Sequence, residues 1–302
     1  VYVVGKANGS RACIWTIDAD GSVLAEDLGD VLYDNGLDVN SAGIVAGRPP
    51  DDFAPVLLLP NGDLVNLPGG SSPRVRINNP DGIGVFQAVS EDLLWDVAAD
   101  GTVLATTVLV DAAGTHFFAT DINDSGVMAG FEMQGTTAVQ AVAAFVGAEL
   151  VITTLVNPNP SVITGFADME ISGGGDVLGE GSEPAGTEWG GVYPRSVIWL
   201  ADGGTVDLGA ELNVRHADGT GIATVNGSVQ CTGKYYKRDL IAFVYAGGSY
   251  LDLQPASEGV RNWLEIDHAG GINSSGMICA RGKVGKRRDY ELLGCMLIPV
   301  AP

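Results

Sequence analysis

The sequence predicts an all-β fold: a β-propeller of four-stranded meander blades, with seven blades favoured over six. Three observations carry this. A short phrase recurs six times along the 302 residues, strand-like pieces occur in groups of four, and the connections are rich in glycine, with 43 Gly in all. Repeats of ~40–50 residues built from short strands indicate radial or stacked β architecture.

The phrase reads apolar, Asn, two small or polar residues, Gly, then an apolar pair ending near Gly. Its clearest copies are INDSGVMAG from Ile122 and INSSGMICA from Ile272. The others are VNSAGIVAG from Val39, INNPDGIGV from Ile77, ISGGGDVLG from Ile171 and VNGSVQCTG from Val225. The anchors are Asn40, Asn78, Asn123, Ser172, Asn226 and Asn273, separated by 38, 45, 49, 54 and 47 residues. Because the repeat runs from end to end, residues 1–302 read as a single β-propeller domain, long enough to bury a large core.

Each full repeat contains four strand-like pieces. HFFATDIN, VMAGFE, QAVAAFV and ELVITTL make one set, and GIATVN, SVQCTGKY, LIAFVYA and SYLDL another. Asn and Gly in the first turn tolerate positive φ. The third-to-fourth turns DADG, PNGD, AADG, ADGG and AGGS have hairpin chemistry. Third strands can be counted seven times: RACIWTI, APVLLL, DLLWDV, QAVAAFV, SVIWLA, LIAFVY and GCMLIPV. The first of these lies in a fragment without an inner strand, and the last in a repeat without an outer strand. A β-helix or sandwich fits less well, since the period is long for one and too regular for the other.

The phrases INDSG and INSSG, the following strands, then AFVY or VIW, and the VDLG ending at Gly209 resemble the HAF-repeat family of bacterial extracellular proteins. The resemblance spans nearly the whole chain, although the His-Ala-Phe triplet itself is absent. It implies a secreted or surface-attached propeller-like protein, and it brings no established activity. No WD dipeptide pattern and no aspartate box are present.

The formal net charge is -21, and such a chain is repelled as a whole by nucleic acid and by anionic membranes. No apolar run reaches the ~18 residues of a membrane-spanning helix. The start at Val1 rather than Met suggests either a removed leader or a late start of the ordered chain. An extracellular or cell-surface location is expected.

The positive charge is unevenly placed. Of the 16 Lys and Arg, most fall in or beside second-to-third-strand loops. These are Lys6, Arg11, Lys234, Lys237, Arg238, Arg281, Lys283, Lys286, Arg287 and Arg288, with Arg48 and Arg195 flanking such loops. Arg74, Arg76, Arg215 and Arg261 fall in blade-to-blade links or at the start of inner strands. The turns of the opposite face carry Asp18, Asp20, Asp63, Asp81, Asp100, Asp124, Asp176 and Asp202 instead. A basic sector on one face, with Tyr235 and Tyr236 as stacking surface, would suit an anionic glycan or an acidic protein partner. The alternative is that loops are simply where charge is solvated.

Other candidates carry less. His116, His216 and His268 lie in or before inner strands, at unequal distances from their anchors, so a shared metal is disfavoured and polar lining preferred. Asp38, Asp121 and Glu170 each stand two residues before an anchor and could line a channel. Clustered carboxylates there would serve calcium or acid/base chemistry, with a solvated acidic wall as the plainer reading. Cys279 and Cys295 are symmetric about Arg287, which would set them opposite each other for a disulfide. Cys13 and Cys231 read as small buried apolar residues, and Trp15, Trp95 and Trp199 as packing between blades. No cofactor is implied. The leading reading is a non-enzymatic binding module, the alternatives being a polysaccharide lyase or hydrolase and a structural component of a surface layer or fibre.

Overall fold

The computed structural model describes residues 1–7, 11–18, 20, 22–33, 37–72, 74–79, 84–163, 165–184, 192–214, 217–236, 240–253, 263–286 and 289–299. Two compact units divide the chain, Val1–Leu155 and Val156–Pro302. Among the described residues the strands form six sheets of antiparallel meanders, one of them an eight-stranded sheet in which a parallel bridge between Arg195 and Ala217 joins two meanders.

The first unit holds four meanders. They are β1 (Tyr2–Ala7), β2 (Arg11–Ile17) and β3 (Val23–Asp27); β4 (Asp38–Val39), β5 (Val45–Gly47), β6 (Val56–Leu58) and β7 (Leu64–Asn66); β8 (Arg76–Ile77), β9 (Val85–Ser90), β10 (Leu93–Ala98) and β11 (Val103–Val108); and β12 (Phe117–Ile122), β13 (Met128–Gln134), β14 (Thr137–Val146) and β15 (Glu149–Thr154). The second unit holds three. They are β16 (Phe166–Ile171), β17 (Val177–Pro184), β18 (Val192–Trp199) and β19 (Thr205–Asp207); β20 (Ala217–Val225), β21 (Ser228–Tyr236), β22 (Leu240–Ala246) and β23 (Ser249–Asp252); and β24 (Trp263–Ile272), β25 (Ile278–Lys286) and β26 (Asp289–Leu297). A helix, α1 (Leu208–Glu211), is one turn capped by Asp207. Among the described residues the first and last sheets have three strands each.

Apolar side chains from facing sheets fill the space between consecutive meanders. Ile44, Leu57, Val75, Phe86, Trp95 and Val97 form one such layer in the first unit. Leu178, Ile198, Ala217, Ile222, Cys231 and Phe243 form another in the second. Outer strands carry little of this core. All five residues of β3 are exposed, so that strand is held mainly by its ladder to β2.

The repeated phrase is a hydrogen-bonding device. All six anchors directly follow an inner strand: β4, β8, β12, β16, β20 and β24. Asn40 Oδ1 accepts from the Ala42 and Ile44 amides, both at 3.1 Å. Asn123 Oδ1 accepts from Ser125 and Val127, and Asn273 Oδ1 from Ser275 and Met277, all at 3.0 Å. The phrase's glycine takes positive φ, 78° at Gly43, 75° at Gly126 and 76° at Gly276. Its N–H donates back to the anchor's carbonyl. A Cβ would strain that conformation, which explains the Gly.

In the first unit the anchors also join meanders. Asn40 Nδ2 donates to Asn78 O (3.4 Å), and Asn78 Nδ2 to Asn123 O (3.2 Å). Beside them the Ser41 amide donates to Asn79 Oδ1 (2.6 Å) and the Asn79 amide to Asp124 (2.9 Å). Buried side-chain amides thus satisfy carbonyls that three successive meanders bring together. Asn78→Ala also strips the Gln87 amide of its acceptor at 2.6 Å. We expect it to lower stability by about 2 kcal/mol, the cost of orphaned buried groups. A urea midpoint within error of the parent would reject this role.

Two copies depart from the pattern. At Ser172 the hydroxyl accepts from the Asp176 amide (3.1 Å) and from Thr224 Oγ1 (3.0 Å). At Asn226 the turn closes in two residues, Asn226 (φ 50°) and Gly227 (φ 76°), between Val225 and Ser228. Positive φ at both positions is the type I′ hairpin solution, so this Asn shapes a turn instead of capping one.

The register of the last meander corrects the disulfide expectation. Lys286 pairs with Asp289, Ala280 with Cys295, and Cys279 with Met296. The hairpin is centred half a residue beyond Arg287. A one-residue shift in register reverses the face of every side chain, so Cys279 and Cys295 point to opposite sides. Both are free thiols.

Candidate functional site

Three of the cations expected to form the basic face, Lys234, Arg281 and Lys283, sit on second strands beside acids of the inner strands. In the β20–β21 ladder Asp218 pairs in register with Lys234, and their charged groups lie 3.0 Å apart. In the β24–β25 ladder Glu265 faces Lys283 and His268 faces Arg281. Lys283 bonds Glu265 and stands 4.0 Å from Asp267, and Arg281 Nε reaches Asp267 at 3.3 Å. Opposite charges directly across a ladder are mutually stabilising. Asp267 is itself buried, with only half of the Arg281 side chain exposed over it.

Arg11, which opens β2, holds Asp27 at 2.7 Å and Asp30 at 3.3 Å. The hydrogen bond that Arg11 donates to Asp27 raises the guanidinium's pKa. Lys6 lies opposite Ala12 in the β1–β2 register, and its side chain is outside the described residues. Lys286 closes β25 opposite Asp289, again with its side chain outside them. Lys237, Arg238, Arg287 and Arg288 lie outside the described residues, as do Asp81, Arg215, His216 and Arg261.

The two tyrosines separate. Tyr236 is 53% exposed, whereas Tyr235 is 5% exposed. Tyr235 packs on Phe243 and Tyr250, with ring centroids 6.0 and 6.2 Å away, and its hydroxyl donates to Asp252 at 2.9 Å. Burial pushes that phenol up to about 12. Neighbouring residues in a strand face opposite ways. Tyr235 is therefore a core residue rather than a stacking surface, which corrects the expectation for it.

The acids of the opposite turns are mostly local caps. Asp20, Asp100 and Asp202 accept the amides two residues on, from Ser22 (2.9 Å), Thr102 (2.9 Å) and Gly204 (3.0 Å). These bonds hold the Asp20 and Asp100 carboxyls below the ordinary range. The uneven charge distribution is thus partly turn chemistry.

Of the proposed channel acids, Asp38 accepts the Val39 amide (2.8 Å) and the Ile77 amide (2.9 Å), tying the second meander to the third. Burial raises its pKa, against the opposing pull of Arg76 and those two amides. Asp121 lies in β12 beside a register shift between Ala119 and Asp121. Glu170 lines a cavity of about 220 Å³ with Asp168, Glu180, Asp218 and Thr220. Register shifts at Phe166/Asp168 and Gly219/Gly221 border it, and bulges of this kind re-aim side chains.

His116 and His268 belong to different units, and His216 lies outside the described residues. His116 Nδ1 lies 3.4 Å from the Asp92 carboxylate. His268 has its pKa lowered by burial and by Lys234 and Arg281. Among the described residues no group of three His, Cys, Asp or Glu is arranged to hold a metal ion.

Two features were not singled out as sites in the sequence. Arg195 on β18 is a bidentate partner of Asp207 (2.9 and 2.8 Å) and reaches Glu183 at 2.7 Å. Arg48 stacks with Tyr33 and Phe53.

No protein-family model matches the chain, and no curated protein matches its sequence. Solved structures do match. Virginiamycin B lyase from Staphylococcus aureus, solved with quinupristin as a catalytically inactive variant, aligns over 99% of this chain and 94% of its own at 11% identity, with a TM-score of 0.53. The β-propeller domain of the Trilobed protease from Pyrococcus furiosus, described as having an open velcro topology, aligns over 97% of this chain and 88% of its own at 8% identity, TM-score 0.53. The fold is a β-propeller. Puromycin hydrolase also aligns, over 97% of this chain but 50% of its own length, at 16% identity and a TM-score of 0.53. At such identities the likeness is one of fold, and propellers host many activities.

Proposed function

We propose that this propeller is a non-enzymatic binding module of the HAF-repeat kind. It acts outside the cell or at its surface and engages an anionic glycan or acidic protein. The cationic hairpins β21–β22 and β25–β26 would make the contact. One observation supports this most. Two successive meanders repeat the same arrangement, with Lys234 on one and Arg281 and Lys283 on the other, each paired to inner-strand acids. The acids hold these cations in place but also neutralise them, which favours the plainer reading of solvated loop charge for these three, so the attraction for an anion falls to the hairpin ends. The hairpin ends continue the charge in sequence, through Lys237 and Arg238 and through Lys286, Arg287 and Arg288.

The test is binding of a sulfated glycan and of polyglutamate across a salt series. Affinity should fall as salt rises, because exposed charges are screened. The reversal K286E/R287E/R288E should weaken binding by roughly tenfold or more, since like-charge contacts are strongly penalised. Salt-insensitive binding, or unchanged affinity in the reversed variant, would remove this face as the site.

The cavity at Glu170 favours a second reading, cleavage of a polysaccharide. Four carboxylates line the cavity, one of them Asp218 with Lys234 at 3.0 Å, and Lys234 and Asp218 both act on the pKa of His268 in opposite directions. Carboxylates gathered around a cavity are a usual setting for acid/base work. Reducing ends released from a polysaccharide panel by the parent, and not by a Glu170→Gln/Asp218→Asn variant, would select this reading over simple binding.

A further inference from the structure

The geometry points to a second, separate ligand site in the first unit: Arg48, flanked by Tyr33 and Phe53, is a receptor for the carboxylate of an acidic saccharide such as a uronate.

Arg48 follows β5 and opens the loop to β6, Arg-Pro-Pro-Asp-Asp-Phe-Ala-Pro. The residue is only 9% exposed. Its guanidinium carbon lies 4.0 Å from the centroid of the Tyr33 ring and 4.6 Å from that of Phe53. Aromatic faces attract a cation, but they meet only the flat sides of the group and cannot serve its in-plane donors. Nη1 reaches only the Asp52 carbonyl, at 3.3 Å, and Nε is buried without an acceptor. Among the described residues no carboxylate pairs with Arg48. The Asp52 carboxylate accepts the Ala54 amide at 3.0 Å instead, as part of the loop's own turn.

A buried guanidinium without a counter-charge is costly, whereas Arg11, Arg195 and Arg281 each meet an acid. Arg195 is the contrast, with similar burial and two carboxylates. The Arg48 arrangement suits a planar anion, because the guanidinium fork matches a carboxylate with two parallel bonds. The rings define the rest of the ligand. Phe53 is 64% exposed and Tyr33 37% exposed, so each still offers aromatic surface to a partner. An apolar ring face beside a carboxylate receptor fits a sugar ring carrying an acid group better than a bare inorganic ion. Three prolines, Pro49, Pro50 and Pro55, limit the loop's conformational freedom, so the cage is largely set before binding.

The site shares no residue with the cationic hairpins of the second unit, and the experiment keeps the two apart. Oligogalacturonate is titrated calorimetrically into the K286E/R287E/R288E protein, which lacks the hairpin-end cations. Neutral xylo-oligosaccharide of the same length, polyglutamate and inorganic sulfate are run in parallel. Oligogalacturonate should bind, with the neutral sugar at least about tenfold weaker, the worth of one good charged contact. Arg48→Lys keeps the charge but loses the fork and should lose about tenfold. Phe53→Ala, at an exposed position, should fold normally and lose several-fold. Equal binding of the neutral sugar, preference for polyglutamate or sulfate, or unchanged affinity in both Arg48→Lys and Phe53→Ala would overturn the assignment. Should Arg48→Lys fail to fold, Phe53→Ala and the ligand series decide the matter.

Discussion

Replacing Arg195 by alanine should lower the stability of the Val156–Pro302 unit by about 3 kcal/mol, the cost of breaking a buried ion pair from one side. The Arg195 side chain is 12% exposed, Asp207 13% and Glu183 18%, so solvent screens the group little. Three strands of one meander, β17, β18 and β19, meet at this guanidinium. The Asp207 hydrogen bond is the main cause of its raised pKa, and burial opposes it. Removing Arg195 leaves two carboxylates close together without a cation. Asp207 also caps α1 through the Ala210 amide at 3.2 Å, so its displacement would loosen that turn. Arg195→Met with Glu183→Leu and Asp207→Asn removes all three charges while keeping volume, and should recover much of the loss, since apolar replacement of a buried network is often neutral. Denaturant unfolding of the three proteins gives the answer. An Arg195→Ala loss below about 1 kcal/mol, the value of a surface pair, would show that the triad is solvated in practice.

The contrast between Arg195 and Arg48 shows what a sequence withholds. Both flank a second-to-third-strand loop, and nothing local tells which one meets carboxylates. The partners of Arg195 stand twelve residues away on either side, on two different strands. Those of Arg48 lie in the preceding link and in its own loop. Turns and strand ends were far more legible, because Asn, Gly and alternating apolar residues act within a few positions of themselves. The six anchors therefore fall where the phrase places them. Register was legible only up to irregularities. A bulge between Gly219 and Gly221 sets Lys234 opposite Asp218, and no spacing in the sequence announces it. The half-residue offset of the last hairpin separated Cys279 from Cys295 for the same reason. Tyr235 was misjudged because a basic, aromatic run looks like surface, although strand alternation must bury one of two adjacent tyrosines.

Trp95→Ala should be the most damaging apolar substitution in the first unit, at about 3–5 kcal/mol for deleting a fully buried large ring. Trp95 is 0% exposed and lies in the layer with Phe86, Val97 and Leu57. Its Nε1–H donates to Pro68 O at 3.0 Å, in the link that follows β7. Trp199 does the same in the second unit, donating to Val156 O at 2.7 Å while its ring meets Phe166 edge-on at 5.1 Å. In both meanders an indole on the third strand fixes the chain that enters the meander, so the residue joins packing to connectivity. Trp95→Phe retains most of the ring and loses only the hydrogen bond. It should cost about 1 kcal/mol plus a small cavity contribution. The ratio of the two losses separates packing from the indole bond. If Trp95→Phe is as damaging as Trp95→Ala, the bond to Pro68 dominates. If Trp95→Ala costs less than about 1 kcal/mol, a value typical of an average substitution, the layer between the second and third meanders is not the core of this unit.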